Sequence, residues 1–160
     1  MCIISNMKAL TTLDIDHILM NNSVTSQYYI GTYPACILPY SDQKQYSFIT
    51  NVENHSEKGL HWTAWYVQDN TILFFDSFGR RYDDETLPDN FKVFVKSFDK
   101  VVCAKKRVQS WTSVTCGHFC INFLYLLSLG LDFRFFLNQY TYNFEKNDEE
   151  VFNFYHSIST

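Results

Sequence analysis

Four residue types in a fixed order carry the chemistry open to this sequence. They are His61 with Trp62 after it, Asp76 inside Phe74-Phe75-Asp76-Ser77-Phe78-Gly79, Gln109, and Cys116 followed by Gly117. A cysteine attacks only as its thiolate, and a free thiol is mostly protonated near neutral pH. An imidazole beside it supplies the base, and an acid on the far side of that imidazole fixes its tautomer. A glutamine amide can donate to the oxyanion that forms on attack, worth roughly 3 kcal/mol in comparable sites. The set therefore reads as a cysteine protease: nucleophile Cys116, base His61, orienting acid Asp76, oxyanion donor Gln109.

Each residue also has a plainer use. A lone histidine on an apolar strand is usually a satisfied core residue, and an aspartate after a strand is usually a turn residue. A glutamine after lysines is usually solvated, and Cys120 reads as a buried structural thiol. What sets the four apart is their joint order on a hairpin followed by a helix. Cys116, His118 and Cys120 crowd one helical turn with Cys103 upstream, but no Cys-x-x-Cys knuckle is present, so a structural zinc site is disfavoured.

The elements that must position these residues can be read from the pattern. Thr11–Met20 reads as a capped helix, and Tyr28–Thr32 and Tyr46–Val52 as short strands, with a polar loop over Asn51–Gly59. His61–Val67 and Thr71–Phe75 flank Asp69-Asn70 and read as a hairpin, which brings His61 and Asp76 to one end. Leu87–Phe98 reads as a helix, and Val101–Val108 as a lysine-bearing strand near an edge. Cys116–Leu129 is the strongest helix, with Phe119, Cys120, Phe123, Leu124 and Leu127 on one face and Gly130 as its stop. A helix start favours a thiolate and offers free N–H groups to an oxyanion. Gly117 leaves room for a substrate backbone. Phe133–Gln139 and Asp148–His156 complete the helices.

The bulk properties narrow the class. At 160 residues the chain has room for one domain, 1–160, with a real core. No apolar run reaches membrane-spanning length, and Met1–Leu10 makes a poor signal peptide. The five cysteines are odd in number and irregularly spaced, against a disulfide framework and for a reducing intracellular compartment. A net charge of −4 opposes DNA binding. Even so, eight of the thirteen basic residues lie between Arg80 and Arg107, beside five acids. Lys92, Lys96 and Lys100, at helical spacing, form the best patch, joined by Lys105, Lys106 and Arg107. The favoured reading of that patch is a solvated face beside an edge strand.

At these residues the chain resembles the adenain-like endopeptidases of adenoviruses, Maverick/Polinton-type elements and other DNA viruses. It is more distantly similar to the proteases of ubiquitin-like proteins. The resemblance is carried by His61-Trp62, Phe75-Asp76-Ser77-Phe78-Gly79, Gln109, and Cys116-Gly117-His118-Phe119-Cys120, with Tyr29-Ile30-Gly31-Thr32-Tyr33 upstream, and runs over about residues 11–130. The order His, Asp, Cys is the reverse of papain's. The resemblance implies an α+β fold, a central mixed or antiparallel sheet packed against the helix carrying the cysteine. It implies cleavage at glycine-containing sites, with Trp62 helping to form a slot over the substrate, and maturation of viral or element-encoded capsid precursors. It requires no metal or organic cofactor. An activating viral peptide, or DNA, belongs to the adenovirus enzyme, whose peptide-bonding cysteine has Cys103 in the matching region but at a different distance from Gln109. Processing of ubiquitin-like modifiers, and a catalytically silent binding module, are the alternative functions. Asp76 stands where adenovirus enzymes typically carry glutamate, so the hairpin must bring it one methylene closer to His61.

Overall fold

The structure is a computed structural model that describes residues 7–53 and 60–159. The expected loop falls partly outside them, at residues 54–59, as does most of the N-terminal stretch. Helix α1 (Thr12–Asn21) opens on a complete capping box, in which Thr11 accepts from the Asp14 N–H and Asp14 accepts from the Thr11 N–H. Strands β1 (Tyr29–Pro34), β2 (Gln45–Glu53), β3 (Leu60–Gln68), β4 (Thr71–Phe75) and β5 (Lys100–Val102) lie in that spatial order in one sheet. The outer pairs are parallel and the inner two antiparallel, so the sheet is mixed. The expected α+β architecture is the one observed. Asn51–Glu53 continue β2 rather than starting a loop, because they pair with Leu60, His61 and Trp62.

The β3–β4 hairpin turns on Asp69 and Asn70, whose φ values of 49° and 65° match a type I′ turn. Its register pairs Ala64 with Phe75. One step further along that register lies Asp76 opposite Thr63, so His61 is its diagonal neighbour on the same sheet face.

Alternation splits the core in two. Ile49, Trp62, Ala64, Tyr66 and Phe75 pack with helix α3 (Cys116–Ser128), while Phe48, Trp65, Val67 and Phe74 pack with α2 (Asn90–Val95). Helix α3 is buried on every side over Cys116–Leu124, not along one face, because α1, α4 (Phe133–Asn138) and α5 (Phe144–Ile158) enclose what the sheet leaves open.

Three elements differ from the pattern reading. Helix α2 is six residues rather than twelve, flanked by i→i−3 turns such as Phe91 N–H to Pro88 O and Phe98 N–H to Val95 O. Its N-cap, Asp89, makes no side-chain bond, and valines and phenylalanines are modest helix formers. Strand β5 stops at Val102, and the chain then runs toward the acid turn, where Val108 N–H and Gln109 N–H both donate to Ser77 O. Helix α5 begins four residues early because Asn143 caps it, accepting from Lys146 N–H. No described helix is long and apolar enough to cross a membrane.

The lysine patch does not lie on one helix. Lys96 is the C-cap of α2 and Lys100 opens β5, so the three lysines do not share a helix. Lys92 pairs with Asp89 at 3.1 Å, and Lys106 Nζ donates to Leu137 O and Tyr140 O at the end of α4, both at 2.7 Å.

Candidate active site

His61 comes from the start of β3, Asp76 from just past β4, and Cys116 is the first residue of α3. All three are nearly closed to solvent, at 4%, 3% and 6% exposure. His61 Nε2 lies 2.7 Å from Asp76 Oδ1. Nε2 therefore donates to the carboxylate, which leaves Nδ1 as the nitrogen open to Cys116, whose nearness also raises the basicity of the imidazole. Burial alone would lower the basicity of His61. The Asp76 charge and hydrogen bond, with Cys116, outweigh it and raise the pKa to about 9. Burial pushes the Asp76 carboxyl up, but His61 first and then Arg80 hold it below the ordinary range. Both partners thus titrate as members of one buried ion pair.

Asp76 has two further partners. The Phe78 N–H donates to Oδ1 at 3.0 Å, and Arg80 Nε donates to Oδ2 at 2.5 Å. A buried carboxylate needs its lone pairs filled, and the acid turn supplies this within four residues. Gly79 lets that turn lie against the following strand segment: its φ is +80°, and a Cβ there would meet Arg107 N at 2.7 Å. This is the physical content of the Phe-Gly step after the acid.

Gln109 is also buried, at 1% exposure. Its Oε1 accepts from Ser77 Oγ at 2.5 Å, and its Nε2 donates to Ser113 O at 3.0 Å. A carbonyl can only accept, so the amide orientation is fixed. One Nε2 hydrogen remains uncommitted among the described hydrogen bonds.

The hairpin end, the acid turn and the start of α3 thus bring His61, Asp76 and Cys116 together, and Gln109 is tied to the acid turn through Ser77. Trp62 and Gly117, expected against substrate, instead face each other. A Cβ on Gly117 would lie 3.2 Å from Trp62 Cδ1 and 3.3 Å from Leu10 Cβ, and Trp62 Nε1 donates to Leu10 O at 3.1 Å. The side-chain space of Gly117 is filled by the chain itself. Cys120 behaves as expected of a structural thiol: burial pushes its pKa well up, and it donates to Trp62 O at 3.4 Å.

Several neighbours were not foreseen. The Phe78 ring stacks on His61 at 4.8 Å, and Trp111, 60% exposed, stacks on Phe78 at 5.1 Å. Arg107 lies between Trp111 and Phe144, 4.2 and 3.7 Å from the ring centroids. Arg107 is thereby engaged and not a free basic side chain. On α5, Asn147 reaches Val108, just before Gln109, and Asp148 reaches Thr115, just before Cys116. Arg80 carried a signal, lying four residues past a carboxylate that had to be buried. Asn147 and Asp148 had none. Among the described residues no group of three His, Cys, Asp or Glu side chains is placed to hold a metal.

The chain matches no protein-family model and no curated protein. Solved structures give a clear match to the ASFV pS273R protease. A selenomethionine form aligns with TM-score 0.65 at 14% identity, and a second structure with 0.66 at 15%; each alignment covers 96% of this chain and 68% of the other. The chain has the fold of the pS273R protease. The fold expected from the resemblance, with the cysteine helix against a mixed sheet, is therefore the one a viral protease uses.

Proposed function

We propose that this chain is a cysteine endopeptidase that cuts glycine-containing sites in viral or element-encoded precursors, capsid proteins foremost. One observation carries the reading: a buried carboxylate 2.7 Å from a buried imidazole raises its pKa to about 9, and a cysteine at a helix start is near enough to add to that shift. A cationic imidazole and a helix N-terminus are the surroundings in which a thiolate is favoured.

In the proposed reaction the Cys116 sulfur attacks the scissile carbonyl carbon. The oxyanion is met by the free Nε2 hydrogen of Gln109 and by N–H groups of the first turn of α3, which have no intrahelical partners. The tetrahedral intermediate collapses as His61 gives its Nδ1 proton to the leaving amine. Water, giving a proton back to His61, then hydrolyses the thioester and releases the acid. Asp76 keeps the imidazole oriented throughout and is not itself protonated. Trp62 acts from behind, seating Gly117 and so fixing where α3 begins. The fold shared with a viral protease and the glycine-directed resemblance support the substrate class. The absence of disulfides among the described cysteines supports work in a reducing compartment inside the host cell or virion. DNA is not needed by this scheme, and an activating peptide would be an addition to it.

The test is covalent capture. A peptide aldehyde or vinyl sulfone ending in Gly-Gly should label the protein once, on Cys116, and His61→Ala should suppress labelling. Capture by a ubiquitin-like vinyl sulfone alone would move the reading to modifier processing. Labelling at the rate of a denatured control would favour a silent binding module.

A further inference from the structure

We propose that Asp148 is a positioning residue of this site: from α5 it fixes the loop between Gln109 and Cys116, and so the spacing between oxyanion donor and nucleophile. Residues 110–115 form neither strand nor helix. A loop of that kind would wander unless tied, and a misplacement of about 1 Å is worth about 10²-fold in rate.

The ties converge on one carboxylate oxygen. Thr115 Oγ1 donates to Asp148 Oδ1 at 2.7 Å, and Ser113 Oγ donates to the same atom at 3.1 Å. Those two hydroxyls are themselves 2.9 Å apart, and Ser113 O receives the Gln109 side-chain amide. A continuous hydrogen-bonded path thus runs from Gln109 through Ser113 to Asp148 and on to Thr115, the residue before the nucleophile. Thr115 is the N-cap of α3, yet its hydroxyl makes no cap bond. It is turned to Asp148 instead, a departure from the usual cap that the helix alone does not explain.

Asn147, the preceding residue, holds the other end. Its Nδ2 donates to Val108 O at 3.0 Å and to Thr141 O at 2.7 Å. Two consecutive buried polar side chains therefore bracket the loop, Asn147 at 1% exposure and Asp148 at 3%. Asp148 has no ion-pair partner among the described residues; hydroxyls fill its place. Burial accordingly raises its pKa, with Thr115, Ser110 and Ser113 drawing it back. Pure packing would be better served by an apolar side chain at this position. This assignment rests on the protease reading above.

The experiment compares wild type, Asp148→Ala, the near-isosteric Asp148→Asn and the exposed control Glu149→Gln. Three readouts are taken: peptide turnover, the rate of Cys116 alkylation by iodoacetamide, and amide hydrogen exchange over residues 109–116. Alkylation needs the thiolate but no oxyanion donor. The expected result is a fall in kcat of about 10²-fold in Asp148→Ala with KM little changed. A smaller fall is expected in Asp148→Asn, with faster exchange over the loop in both. Alkylation should stay within about threefold of wild type, and Glu149→Gln should match wild type throughout. Turnover in Asp148→Ala equal to wild type overturns the assignment while leaving the protease reading intact. So does equal loss of turnover and alkylation in Asp148→Asn, which would mark general loosening of the fold. A wild type that neither turns over nor is captured at Cys116 refutes the protease reading, and this assignment with it.

Discussion

Asp76 is the residue on which most of the site depends, because it takes hydrogen bonds from His61, Arg80 and the Phe78 N–H while fully enclosed. Its charge is what lifts His61 above the ordinary histidine range, so Asp76→Asn should lower the His61 pKa from about 9. The alkaline limb of the kcat/KM profile should then move to lower pH, and kcat should fall at the optimum; an unmoved limb would detach the two residues. Gln109→Ala should lower kcat by about 10²-fold with KM nearly unchanged, the pattern of a group that acts on the oxyanion alone. The candidate catalytic residues stand out in the sequence because each belongs to a short motif with a chemical reason. Trp62 and Gly117 were legible as special but not in their use, since one sequence does not show that a missing Cβ is filled by a tryptophan 55 residues away. Asn147 and Asp148 left no trace, because a polar pair in a charged helix looks like solvated surface until the tertiary contacts are known.

At the scale of elements, the hairpin and α3 were readable because local chemistry and periodicity agree: Asp69-Asn70 for the turn, a long apolar run ending at Gly130 for the helix. The lengths of α2 and β5 were not. Hydrophobic periodicity over Leu87–Phe98 and Val101–Val108 reports burial, while the backbone there is spent on i→i−3 turns and on the acid turn. The contact between that turn and residues 105–107 is tight enough to test. Gly79→Ala combines a positive φ with a Cβ 2.7 Å from Arg107 N. It should lower unfolding stability by about 2–4 kcal/mol in denaturant titration and reduce turnover through displacement of Gln109. Stability equal to wild type would show that the segment is not held there.

At the scale of the whole molecule, pH acts from two sides. His61 is more basic folded than unfolded, so the stability it adds is present below pH 6.5 and lost as pH rises through about 9. His118 is the reverse. Burial first, and then His156, depress it to about 4, and its Nδ1 has no hydrogen-bond partner among the described residues. Stability should therefore decline as pH falls from 6.5 toward 4 while the unfolded chain takes up that proton. His118→Leu should flatten this acid slope relative to wild type in thermal melts, and parallel slopes would exclude His118 as the cause. Net charge and the engaged Lys92, Lys106 and Arg107 predict only weak, strongly salt-dependent association with duplex DNA, readable by titration at low and physiological salt. At the centre of the proposed site, Cys116 is the nucleophile and His61 serves it. The most direct measurement of this role is hydrolysis of a fluorogenic Gly-Gly peptide by wild type, Cys116→Ala and Cys120→Ala. Turnover is expected in wild type, with most of it kept in Cys120→Ala and loss to background in Cys116→Ala; wild-type turnover in Cys116→Ala would rule Cys116 out as the nucleophile.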